Sequence, residues 1–171
     1  MKWVEDENTF KAAYHRALKC AATDSGRLRT SLQKLTYDSV DTLTNQFAGL
    51  IQNLLEWSGD DECAFVVLRP DPVYYFHHFF GKYAELEIKR GMSAADYLAA
   101  LNEGPPDSPA DALGTNYSEY VITPPSHRWF IHTLRSVEND GGHLWIPSEW
   151  VDRVVAIYPY VTVPESLQKL A

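Results

Sequence analysis

In the first third of the chain apolar residues recur at steps of three and four. Phe10, Ala13, Tyr14, Ala17, Leu18 and Ala21 mark one helical face behind a cap at Asn8 or Thr9, and the polar run at 23–26 stops it. A second series, Leu28, Leu32, Leu35, Val40, Leu43, Phe47, Leu50, Ile51, Leu54 and Leu55, keeps that spacing with one slip of five near residues 37–39. It predicts a long helix, broken at the slip and closed by Gly59. Two such helices joined by a short polar turn predict an antiparallel N-terminal helical hairpin.

Residues 63–69, CAFVVLR, form a β-branched and aromatic run between GDDE and PDP, which is the pattern of a buried strand. Pro70 and Pro72 end it, because proline cannot donate a ladder hydrogen bond. Asp71 then serves as cap with Pro72 in the first turn of a helix read through Arg90, with Val73, Phe76, His77, Phe80, Ala84 and Glu87 or Ile88 along one side. After Gly91, SAAD at 93–96 resembles a capping box for a helix through Tyr97, Leu98 and Leu101. Residues 104–114 are rich in Pro, Asp, Ser, Gly and Ala and read as a surface loop.

The last third changes period. Three β-branched and aromatic runs, separated by PPSH and by an Asp-Gly turn at 140–141, predict a three-stranded antiparallel meander. Trp129, Ile131 and Thr133 would face one way, and Phe130, His132 and Leu134 the other. Neither face is plainly polar, so both should be covered, one by helices and one by the C-terminal segment or a partner. Residues 148–158 fit either a helix with Trp150, Val151, Val154, Val155 and Tyr158 inward or a strand. The whole is a single α+β domain over residues 1–171, in which helices pack on a small, mainly antiparallel sheet and the strand at 63–69 joins the meander.

Charge narrows the function. The net charge is −8, and residues 58–118 supply most of it, with four basic against ten acidic residues. Such a field repels a phosphate backbone, which disfavours nucleic acid and favours a basic protein partner. No stretch reaches the ~20 apolar residues of a membrane helix. The acidic N-terminus lacks a signal-peptide core, so the expected location is cytoplasmic. Cys20 and Cys63 are too few and too far apart for a disulfide framework.

Chemical motifs are sparse. His77 and His78 are adjacent, and neighbours on a helix point about 100° apart, so they cannot hold one ion together. No His-Glu-x-x-His, Gly-x-Ser-x-Gly or Gly-x-Gly-x-x-Gly motif occurs. No catalytic residue, metal site or cofactor is therefore expected. Ser126 or Ser136 with His132 or His127 and Asp140 could be combined only by proximity in sequence.

Aromatic residues remain. Tyr74, Tyr75, Phe79, Tyr83 and Tyr117, set beside Asp107, Asp111 and Glu119, compose a protein-contact surface in which rings supply area and charge steers the partner. The expected function is accordingly a non-catalytic protein-binding domain, one concrete form being a bacterial toxin-neutralising, immunity-type protein. The competing class is a small enzyme or small-molecule or metal-binding protein that gathers His77 or His78, His132 and His143 with an acidic residue, which requires at least two of these imidazoles and one carboxylate to converge on one concave site.

Overall fold

The computed structural model of the chain describes residues 3–102, 117–135 and 140–168. Helix α1 runs over Glu7–Asp24. Its cap is Asp6, whose carboxylate accepts from the Thr9 amide at 2.7 Å, upstream of the Asn8 or Thr9 expected from the sequence. Phe10, Ala13, Ala17, Cys20 and Ala21 are its buried positions.

The predicted helical hairpin does not form. Residues Gln33–Tyr37 are instead a strand, β1, with Leu35 and Tyr37 buried, followed by a 3-10 turn, Ser39–Leu43, that Asp38 caps. Only Asn45–Ser58 is helical, as α2, with the Thr44 hydroxyl accepting from the Phe47 amide and Gly59 in the left-handed region at φ 75°. The alternation of Lys34, Leu35, Thr36 and Tyr37 has the period of a strand, and pairing with a distant strand decides in its favour.

Strand β2, Glu62–Arg69, matches the buried run. Asp71 caps the next helix, α3, accepting from the amides of Val73 at 2.9 Å and Tyr74 at 2.6 Å. Helix α3 is short: a π-helical turn Pro72–His77 runs into His78–Phe80 and stops at Gly81, φ 68°. The helix expected through Arg90 is therefore corrected to α3 plus a strand, β3, Glu85–Lys89. Ser93 and Asp96 form the capping box of α4, Ala94–Asn102. The loop read at 104–114, with Asp107 and Asp111, lies outside the described residues.

The meander is present as β4, Glu119–Thr123, β5, Phe130–Arg135, and β6, Asp140–Ile146. Asp140 and Gly141 are paired within β6 and do not form its turn. Residues 148–158 are helical, a 3-10 turn Ser148–Trp150 leading into α5, Val151–Ile157, and Glu165–Gln168 forms α6.

All six strands join one antiparallel sheet in the order β1-β6-β5-β4-β2-β3. Residues outside the strands bridge both edges: Trp3 meets Leu86 of β3, and Thr162 meets Thr36 of β1. One sheet face packs Phe65, Tyr120, Ile131 and Leu144 against α2, α4 and α5. Phe65 is fully buried and stacks on Tyr120 with ring centroids 4.4 Å apart. Burial of one such side chain contributes about 1.5–3 kcal/mol.

Helix α1 covers the opposite face, laying Phe10, Ala13 and Ala17 over Ala64, Val66, Val121 and Phe130. The second face of the meander is covered in part, and by α1, not by the C-terminal segment. Among the described residues no helix is long and apolar enough to cross a membrane.

Candidate functional site

Helix α1 lies against β2, β4 and β5 and ends at Asp24. Asp24 occupies the last turn, which carries no basic residue. A carboxylate there sits at the negative end of the helix dipole, an unfavourable position unless cations face it. Below it, His132 of β5 and His143 of β6 stand directly opposite one another in the sheet register.

Both histidines donate to the same oxygen. Nδ1 of His132 and Nδ1 of His143 each lie 2.7 Å from Asp24 Oδ2. The indole Nε1 of Trp145 donates to Asp24 Oδ1 at 2.8 Å, and Lys34 Nζ is 3.9 Å from that oxygen. On its far side, His132 Nε2 donates to Glu119 Oε1 at 3.0 Å, while Arg69 holds the other Glu119 oxygen at 3.0 Å. The side chains of Asp24 and His132 are 4% and 5% exposed, and that of His143 is 28% exposed. Only the last opens appreciably to solvent.

The electrostatics follow from these contacts. Burial alone would raise the Asp24 pKa, but hydrogen bonds from His132, His143 and Trp145 and the charge of His143 outweigh it and hold the carboxyl well below its usual range. The hydrogen bond from His132 lowers Glu119 against the opposing effect of burial, helped by the charges of His132, Arg69 and Arg27. Burial works against a charged His132, yet the bonds and charges of Asp24 and Glu119 raise its pKa to about 9. With both ring nitrogens donating to carboxylates, His132 is an imidazolium near neutral pH. His143 gives Nδ1–H to Asp24, and its Nε2 has no partner among the described residues.

The three side chains line a cleft of about 490 Å³, bounded also by Ser25, Leu134, Asp140 and Gly141. One ligand atom from each of Asp24, His132 and His143 lies within 4.8 Å of the others, so this set could hold a metal ion although their sequence spacing gives no such sign.

Of the other residues singled out in the sequence, Asp140 borders the cleft, whereas His77, His78, His127 and Ser126 do not join it. His77 stacks on Tyr83 at 4.3 Å between ring centroids, and exposed His78 lies parallel to the Tyr74 ring at 6.1 Å. His127 occupies a turn at φ 56°, and Ser126 donates to Asp60 at 2.6 Å. Asp140 accepts from Ser39. Neither therefore completes a nucleophile triad with His132; Ser136 lies outside the described residues.

The aromatic surface divides. Tyr74 is 79% and Phe79 63% exposed, and Tyr75 is half-buried between Phe76, Phe79 and Phe80. Tyr83 and Tyr117 are buried, the first against Phe10 and the second against Phe65 and Tyr120, so neither offers a contact surface. Glu119 faces inward to His132. Sequence reasoning missed Asp24 altogether, and an acidic residue in a last helical turn that carries no basic residue was the available signal.

Comparison with family models, curated proteins and solved structures finds no match to this chain.

Proposed function

We propose that the protein is a small enzyme or small-molecule-binding protein whose working centre is the Asp24–His132–His143 cleft. The observation that carries this reading is the convergence of two imidazoles and a buried carboxylate at one concave site, the geometric condition on which it depended. His132 bonds Asp24 through Nδ1 and Glu119 through Nε2 and so orients both carboxylates. His143 has the open edge and is the residue that meets a ligand. A cytoplasmic setting belongs to the reading, and the two free, buried cysteines suit it.

The test is a panel of small polar compounds screened by ligand-observed NMR against the wild type and His143→Ala. Compounds that broaden with the wild type and not with the variant support the reading. A panel in which no compound distinguishes the two proteins removes it.

One observation favours a second reading, a protein-binding domain recognising a basic, toxin-like partner. Tyr74 and Phe79 are large, exposed rings on α3, and rings of this kind anchor protein contacts. Replacing both with serine should abolish capture of such a partner with little change in melting temperature. Capture that survives the double change excludes α3 as the contact.

A further inference from the structure

Asp24, His132 and His143 present a set of donor atoms with a specific chemistry. Two imidazole nitrogens and one carboxylate oxygen are the ligands of first-row divalent ions such as Zn²⁺, whereas Mg²⁺ and Ca²⁺ take oxygen almost exclusively. Both Nδ1 atoms already point at Asp24 Oδ2 from 2.7 Å. Ligand atoms around a tetrahedral ion sit roughly 3.3 Å apart, so an ion needs them to open by about half an ångström.

We propose that these three residues bind one divalent transition-metal ion through His132 Nδ1, His143 Nδ1 and Asp24 Oδ2, the ion displacing the Nδ1 proton of each histidine to solvent, a proposal that rests on the cleft being the working centre. Three further observations support it independently. The first is the outer shell. A ligating histidine commonly gives its other ring N–H to a carboxylate, and His132 gives Nε2–H to Glu119, itself held by Arg69. The second oxygen of Asp24 is occupied in the same manner by Trp145 Nε1, which fixes which oxygen faces the ion.

The second is rigidity. His132 and His143 are register partners on adjacent strands, so the sheet sets their separation, and Asp24 comes from the end of a helix packed on that sheet. A site on such elements keeps its geometry without the metal.

The third is electrostatic and steric. A cation beside Asp24 meets the negative end of α1, where no basic residue of the last turn stands. Three protein ligands also leave a fourth position, and the cleft they line, of about 490 Å³, has room for water or a substrate. A bound water there would be a stronger acid than free water, the property metal hydrolases use.

The experiment titrates chelator-treated full-length protein with Co²⁺ and with Zn²⁺ alone, following visible absorption for Co²⁺, calorimetry for both, and Mg²⁺ as a control. The expected result is one equivalent of Co²⁺ with intense low-coordinate bands, displacement by Zn²⁺, and no response to Mg²⁺. His143→Ala, a partly exposed change that spares the core, should abolish uptake. Glu119→Gln should weaken it about 10- to 100-fold, and His78→Ala should leave it unchanged. Absence of saturable one-equivalent uptake by the wild type, or uptake retained by His143→Ala, overturns the proposal. A protein that takes no metal but binds small molecules in a His143-dependent manner loses the metal assignment and keeps the cleft reading; loss of both responses removes that reading too.

Discussion

Replacing Glu85 with glutamine should make the protein more stable above neutral pH and no more stable in acid. Glu85 lies on β3 beneath α1, is 2% exposed, and its Oε2 has no hydrogen-bond partner. It lines a small cavity of about 200 Å³ with Arg16 of α1, Glu62 of β2 and Glu87 of β3. Burial raises its pKa from 4.5 to about 7; Arg16 opposes the rise, and Glu87 and Glu62 add to it. In the interval between those values the folded chain keeps a proton that the unfolded chain has released. The native state therefore binds more protons, and stability falls as pH rises through the window. The contribution is present in full below about 4.5 and lost above about 7. At about 1.4 kcal/mol per pH unit the difference amounts to about 3 kcal/mol. Urea unfolding of wild type and Glu85→Gln at about pH 4 and about pH 9 isolates it, because the other titrating groups largely cancel between the two proteins. The variant should gain about 3 kcal/mol relative to wild type between the two conditions. A relative gain under ~1 kcal/mol, or one of opposite sign, would refute the claim that Glu85 is buried without a compensating partner.

Three further outcomes test the fold. Gly142 lies opposite Tyr37, and a Cβ added there would fall 2.1 Å from the Tyr37 ring, so Gly142→Ala should cost about 3 kcal/mol in urea unfolding and part of that should return in Tyr37→Ala. A loss under ~1 kcal/mol would mean that the ring does not cross this glycine. His77→Ala should cost about 1 kcal/mol, through its lost stacking on Tyr83, and His78→Ala almost nothing; equal melting temperatures would place the phase of α3 in error. Asp71→Ala should cost about 1 kcal/mol, since two amides of α3 lose their acceptor, and an unchanged denaturation midpoint would deny the cap that role.

Where local chemistry decides, the fold was legible in the sequence. The Ser93–Asp96 box, Asp71 before Pro72 and the buried run of β2 all take the predicted form, because each is fixed within a few residues. The failures lie where one spacing serves two periods. Phe80, Ala84 and Ile88 are four apart, which is one helical face and equally every second inward position of a strand. Gly81 at positive φ was the signal against a continuous helix. Leu28, Leu32 and Leu35 imitate a helix in the same way, and only the pairing of Leu35 with Leu144, far along the chain, makes β1 a strand.

The site was half legible for a related reason. His132 and His143 were both placed on the meander, but whether they meet depends on register, which a hairpin fixes through its turn. Observed partners sum to 275, as in 132 with 143 and 135 with 140. An Asp-Gly turn at 140–141 would set that sum at 281, placing Glu149 opposite His132 and separating the histidines. An error of three residues in the centre of a turn thus decides whether a site exists. The meeting of Asp24 with the histidines was beyond reach by any local argument, since 108 residues separate it from His132. Asp24 arrives because α1, which packs on β2, β4 and β5, stops there and leaves part of β5 and β6 open just past its last turn. Gly141, His143 and Trp145 alternate onto that uncovered strip, so the cleft forms where the second layer runs out. Lengthening α1 by one turn would bury the strip and abolish the cleft, which ties the site to the length of a helix as much as to the identity of its histidines.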